Sequence, residues 1–303
     1  MPESQQRVPL PGSERTALPN ARPVGAADPA ARIEVTVVLR PRSTGAGVAA
    51  TVSAPPPHQR QYLSREELAA TSGADPNDIA TVEAFAHAHG LEVVETSIAR
   101  RSIILAGSVA AFSAAFGVEL QQYNHPGGTY RGRTGPIHVP QELAPMVQAV
   151  LGLDDRPQAA PHFRLLPPTE GVVQPRASGG FTPLDVAQLY TFPTGLDGKG
   201  QTLALIELGG GYRPTELKTY FTQLGITPPK VASVSVDHQR NRPTRNPNSA
   251  DGEVMLDIEV AGAMAPGAQI VVYFAPNTDR GFLDAITTAV HDQRSRPPLP
   301  PPS

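Results

Sequence analysis

The chain has 303 residues, no cysteine, 40% hydrophobic and 17% charged residues, and a formal net charge of −3. That length accommodates two domains of ordinary size, and the apolar fraction is that of a chain with packed cores, not of a disordered one. Without cysteine, disulfides, thiolate metal sites and cysteine nucleophiles are excluded, while the small, dispersed charge argues against nucleic acid or an anionic membrane as partner.

Residues 1–31 contain Pro2, Pro9, Pro11, Pro19, Pro23 and Pro29 and read as a disordered arm, because proline and small polar residues bury too little surface to offset ordering entropy. No apolar run there has signal-peptide length, and no 18-residue apolar stretch occurs anywhere, so neither a leader nor a spanning helix is expected. The β-branched run Ile33–Leu39 predicts a strand. Beyond the proline triplet Pro55–Pro57, Ser64 with Glu67 three positions on forms a capping box that opens a helix over 64–71. Asp75-Pro76 opens a second helix through about His89, with Ile79, Val82, Phe85 and Ala86 at helical spacing and Gly90 as its stop. Strands at 91–97 and 102–106 lead to a helix from Ser108 to Phe116 that ends at Gly117, and short strands follow at 118–123, 129–131 and 147–153. This order over residues 32–154 predicts an α+β domain, an antiparallel sheet with helices on one face. It gathers no cluster of catalytic residue types, so its expected work is binding.

Residues 155–180 shift to Pro, Arg, Ala, Gly and Ser and predict an exposed, cleavable linker, with a cut near Arg164 or between Arg176 and Gly179. From 181 onward strands at 202–208, 230–236 and 269–274 alternate with helices at 214–224, 252–264 and 279–291. That alternation over 181–292 predicts an α/β domain with a parallel sheet. The tail 293–303 holds Pro297, Pro298, Pro300, Pro301 and Pro302 where another strand belongs; it reads as an aberrant ending, and the second domain as truncated.

Glu253 and Asp257 lie four apart and share one helix face, a like-charge arrangement that costs about 0.2–0.5 kcal/mol on an isolated helix. Val254, Ile258, Ala261 and Ala265 form the adjoining apolar stripe, and Leu256 and Val260 widen it, leaving little of this helix for solvent. A carboxylate pair beside a buried surface titrates jointly with one pKa raised, as suits a general base working in acid with a second carboxylate orienting it. Spacing alone favours a solvated acidic face over a catalytic pair. Gly209-Gly210-Gly211 lacks the spacing of a phosphate-binding loop and reads as a tight turn beside a cleft. His87 and His89 diverge on their helix and the other histidines lack ligand spacing, so no metal site is expected.

Several segments together resemble the kumamolisin-type (sedolisin) family of serine-carboxyl peptidases. These are Gly252–Asp257 with Ala261–Gly267, Val271–Asp279, Ile206–Tyr212, Phe181–Tyr190, and in the first domain Phe112–Gly117 and Gly152–Asp154. The resemblance covers about residues 32–292 and implies an activation pro-domain at 32–154, docked on the front part of a subtilisin-like peptidase domain at 181–292. It implies a Ser-Glu-Asp triad in which Glu253 is the general base, Asp257 the carboxylate behind it, and Glu207 a further member of the carboxylate network. It also implies an extracellular, acid-acting endopeptidase with protein or peptide substrates and a bound calcium ion whose ligands lie outside this sequence. The family's nucleophile sits in a Gly-Thr-Ser motif that does not occur in this sequence, so the chain by itself is expected to be inactive. The alternative is a standalone pro-domain-type inhibitor or chaperone of a related peptidase.

Overall fold

The computed structural model describes residues 6–42, 63–160, 181–244, 246 and 249–295. The proline triplet, both candidate cut regions of the linker and residues 296–303 of the tail lie outside the described residues. Two compact units are present, one running to Pro157 and taking in Thr278–Arg280 as well, the other beginning at Gln158 and holding the rest.

The first unit contains β1 (Arg7–Pro9), β2 (Arg22–Ala26), β3 (Arg32–Leu39), α1 (Arg65–Ser72), α2 (Pro76–Ala88), β4 (Glu92–Ser97) and β5 (Ser102–Ser108). It continues with α3 (Val109–Phe116), β6 (Gln121–His125), β7 (Gly128–Gly132), β8 (His138–Pro140) and β9 (Val147–Leu151). Its main sheet is four-stranded in the order β4-β5-β3-β9, antiparallel throughout. Alternation along β3 sends Ile33, Val35, Val37 and Leu39 to one face. There they share a core with Ile103 and Leu105 of β5, Val82, Phe85 and Ala86 of α2, and Phe112 and Phe116 of α3. The helices begin where their caps dictate. Ser64 and Glu67 form the reciprocal capping box of α1, Asp75 accepts from the Asn77 N–H at α2, and Ser108 accepts from the Ala111 N–H at α3. Gly117 closes α3 in the left-handed region at φ 58°, a conformation that costs glycine little.

The arm expected over 1–31 is ordered from Arg7 onward. β1 pairs antiparallel with β8, β2 pairs with β6 in a three-stranded sheet of order β2-β6-β7, and Leu10 is buried in the core. The prolines permit this because β1 and β2 are both edge strands, where Pro9 and Pro23 need not supply an N–H to a second neighbour. The start of the expected linker also belongs to the first unit. Arg156 donates to both oxygens of buried Asp154 at 2.7 and 2.6 Å, and its guanidinium lies 5.2 Å from the Tyr130 ring centre. A two-point charge-assisted pair of this kind fixes the backbone where composition suggested freedom.

The second unit contains α4 (Pro183–Leu189), β10 (Thr202–Glu207), α5 (Pro214–Gln223), β11 (Lys230–Ser235), α6 (Asp251–Met264), β12 (Gln269–Phe274) and α7 (Asp279–His291). The tail expected to be aberrant opens with a short 3-10 turn, Gln293–Ser295. The sheet is parallel in the order β10-β12-β11, with Glu207 and Ser235 both in register with Phe274. β12 is covered on both faces. Ile270, Val272 and Phe274 pack with Phe221 of α5 and Val254 and Ile258 of α6, while Val271 and Tyr273 pack with Ala285 and Ala289 of α7. A strand buried on two sides cannot alternate, which is why this one reads as an unbroken apolar run.

The packed line of α6 is narrower than its sequence implies. Val254, Ile258 and Gly262 repeat every fourth residue and are buried, whereas Leu256 and Val260 stay 46% and 41% exposed. Gly262 lets α5 approach closely, since a Cβ there would fall 2.6 Å from Phe221 Cζ. Among the described residues, no helix is long and apolar enough to cross a membrane.

Replacing Phe112, fully buried and stacked on Phe116, by alanine is expected to destabilise the first unit by about 3–5 kcal/mol. Urea unfolding of the full chain, followed by far-ultraviolet circular dichroism, measures it as an earlier transition for that unit.

Candidate active site

Glu207 is the last residue of β10, and in open parallel sheets the crevice beyond the carboxyl ends of the strands is where ligands bind. Its backbone is fixed there by the Ala275 N–H, which donates to the Glu207 carbonyl at 2.9 Å. The residue is only 5% exposed, and among the described residues its Oε1 finds no hydrogen-bond partner. Burial pushes the Glu207 carboxyl from its ordinary 4.5 up to about 8, and the charges of Asp257 and Glu253 push in the same direction.

Those two carboxylates come from α6, which packs on β10 and β12. Asp251 and Glu253 occupy its first turn, the end of a helix where acidic side chains are favoured. Asp257 follows one turn later on the exposed side, and partial removal from water holds its carboxyl above the ordinary aspartate value. The three acids singled out in the sequence therefore share one electrostatic neighbourhood, although Glu207 is 46 residues from Glu253 along the chain.

The glycine run after β10 serves close backbone approach. Gly209 and Gly210 have φ of 132° and 67°, and a Cβ on Gly210 would fall 2.7 Å from the Ala250 carbonyl carbon and 2.8 Å from the Asp251 nitrogen. One on Gly211 would fall 2.5 Å from the Pro243 nitrogen. The turn is thus pressed between the 241–243 loop and the start of α6. Asn241 grips Tyr212 at two points, accepting from its N–H at 2.8 Å and donating to its carbonyl at 3.1 Å. The Arg242 N–H donates to the Gly210 carbonyl at 3.1 Å. Farther along the loop, Thr244 donates to the buried Asp251 carboxylate from its N–H at 2.6 Å and its hydroxyl at 2.9 Å.

The sequence did not single out Glu259. Two residues beyond Asp257 it leaves that face of α6, and burial followed by the charge of Glu216 on α5 pushes its carboxyl up to about 7. An acid set among Ile258, Val260 and Ala261 was the available signal. Asn241, Thr244 and Asp251 were also missed, since polar residues in a polar loop carry no pattern of their own. A cavity of about 420 Å³ lined by Gln201, Thr202, Lys230 and Gln269 lies at the opposite ends of the strands, away from the carboxylates. Among the described residues no three His, Asp or Glu side chains converge as a metal site.

Residues 19–156 match the family model described as "Pro-kumamolisin, activation domain". The chain is 51% identical to kumamolisin of Bacillus sp. (strain MN-32), in an alignment covering 98% of the chain and 55% of that protein. It is 27% identical to tripeptidyl-peptidase sed5 of Aspergillus fumigatus, over 94% of the chain and 53% of the relative. It is 25% identical to sedolisin of Pseudomonas sp. (strain 101), over 88% of the chain and 47% of the relative. The chain thus spans about half the length of the curated relatives it matches.

A carboxyl whose folded pKa lies above its unfolded value stabilises the fold fully below the unfolded value and loses that contribution as pH rises through the folded one. For Glu207 the window runs from 4.5 to about 8, and the loss is on the order of 4–5 kcal/mol at most. Urea midpoints of the full chain are expected to fall across that window and to fall less steeply in Glu207→Gln, with a residual slope from Glu259. Equal slopes in the two proteins would place the titration elsewhere.

Proposed function

We infer, for a chain that belongs to the kumamolisin-type (sedolisin) family, that it is the pro-region and front peptidase part of an acid-acting serine-carboxyl endopeptidase precursor. In this reading residues 32–154 are the activation domain and residues 181–292 begin a subtilisin-like domain, consistent with a parallel sheet carrying helices on both faces. The observation that carries it is buried Glu207 at the carboxyl end of β10, pushed up to about 8 by burial and by the charges of Asp257 and Glu253 on α6.

Glu253 is the general base. As a serine hydroxyl attacks the peptide carbonyl carbon, its proton passes to the Glu253 carboxylate and the carbonyl π electrons move to oxygen. The protonated Glu253 then donates to the departing amine as the C–N bond breaks, and water releases the acyl group by the reverse proton movements. Asp257, one turn along the same helix, orients and polarises Glu253. Glu207 keeps its proton throughout the acid range and serves as a neutral hydrogen-bond donor beside two carboxylates, where a third negative charge would raise the cost of ionising the pair.

The serine is supplied by a Gly-Thr-Ser segment that this sequence does not contain, so the chain alone is expected to hydrolyse nothing. The setting is an acidic extracellular medium, to which a chain that builds its cores without cysteine is suited. The substrates are proteins or peptides.

A second reading is favoured by one observation: the family match falls on a unit with its own complete core. That unit acts alone as an inhibitor or chaperone of a related peptidase. Adding the full chain to active kumamolisin and measuring peptide hydrolysis tests it; unchanged rates at a large excess of chain would remove it.

The main reading is tested by joining residues 1–292 to the remaining C-terminal part of kumamolisin and assaying peptide hydrolysis from about pH 3 to pH 7. Activity is expected on the acid side after processing, with kcat lowered about 10²–10⁴-fold in Glu253→Gln and in Asp257→Asn. A fusion whose rate ignores both substitutions would overturn the assignment.

A further inference from the structure

The geometry points to Asn241 and Asp251 as positioning residues: through them residues 241–244 are tied both to the turn after β10 and to the first turn of α6, and so set where Glu207 stands relative to Glu253 and Asp257. This rests on the reading of those three carboxyls as the site and goes beyond it by assigning what holds them in place.

The tethers run in sequence along one loop. Asn241 takes both backbone groups of Tyr212, the residue that ends the glycine turn five positions after Glu207. Next to it, the Arg242 N–H reaches back to the Gly210 carbonyl at 3.1 Å. At the other end, Thr244 donates twice to Asp251, two residues before Glu253. The Gly210 backbone is packed against Ala250 and Asp251 so closely that no side chain fits between them. α6 packs on β10 directly, and residues 241–244 add hydrogen bonds that tie the turn after β10 to the start of the same helix.

A side-chain amide accepting and donating to one residue fixes its plane as well as its distance, and a buried carboxylate accepting from a neighbouring N–H and hydroxyl ties the helix start to the loop. Neither Asn241 nor Asp251 is assigned a step in the reaction. Their contribution is to keep the carboxyls near one another and to keep water away from Glu207, since a loosened turn would admit both solvent and separation.

The test reads the Glu207 carboxyl directly, by carbon-13 NMR titration of the full chain labelled at the glutamate carboxyl carbons, with Glu207→Gln identifying the resonance. Asn241→Ala and Asp251→Asn are each expected to lower the Glu207 midpoint from about 8 by at least about one unit, a tenfold change in proton affinity. Ile270→Val trims the buried centre of β12 and destabilises the same core; it is expected to leave the midpoint where it is. Gly210→Ala, which forces the turn off α6, gives a second route to the same downward shift should either polar variant fail to fold. Midpoints that stay at about 8 in the folded Asn241 and Asp251 variants overturn the proposal, as does an equal shift in Ile270→Val. Because the readout is a titration and not hydrolysis, it decides the matter whether or not the fusion described above turns over peptide.

Discussion

A carboxyl group taken out of water at the end of a strand has to find a cation, find hydrogen-bond donors, or keep its proton, and two further carboxylates within electrostatic reach leave proton retention as the least costly course. Glu207 meets that constraint at the edge of the second unit's sheet, and much of the local architecture follows from it. The glycine turn can lie flat against the start of α6 because it has no side chains in the way. The first turn of α6 can carry Asp251 and Glu253 because a helix start tolerates negative charge. The fold thereby concentrates acids on one side of α6 at a cost in stability that is smallest in acid.

The two units differ in how they bury their strands, and the difference bears on the site. In the first, antiparallel β3 alternates, and one line of its side chains meets α2 and α3 in a single core. In the second, β12 has helices against both faces, so the sheet's interior carries no polar side chain through the middle of β12 and polarity is confined to the strand ends. Only there can a charged constellation be assembled without breaking the packing. The cavity at the other ends of the strands has Lys230 and amides but no acids.

Much of this was legible in the sequence wherever a local rule was strong. Ser64 with Glu67, Asp75-Pro76 and Ser108 with Gly117 marked helix ends that the structure keeps. The alternating strands and helices after residue 181 gave the parallel sheet, and the E-x-x-x-D spacing put Glu253 and Asp257 on one helix face. What could not be read depended on partners distant in sequence. Pro9 and Pro23 looked like disorder because nothing local says that their strands are edges, a property conferred by β8 and β6 more than a hundred and about a hundred residues away, respectively. Arg156 looked like linker because its partners include Tyr130 and the Thr16 carbonyl. Leu256 and Val260 looked buried because the stripe was judged by composition; the close approach of α5 at Gly262 selects a narrower line. The nearness of Glu207 to α6 was implied only by family resemblance, since strand order is not written in periodicity.

The order β10-β12-β11 sets a timetable for synthesis. Among the described residues the two flanking strands, which emerge first, do not pair with each other; each hydrogen-bonds to β12, which is the last of the three in the chain. Until residue 274 has left the ribosome, β10 and β11 lack the strand that joins them, and the apolar faces of α5 and α6 lack the β12 side chains that complete their core. The second unit therefore cannot fold progressively from its amino end, whereas the first completes its four-stranded sheet at β9 well before β12 is made. For tens of residues of translation the nascent chain carries a folded leading unit and a following one with unpaired strands, the kind of intermediate on which chaperones act.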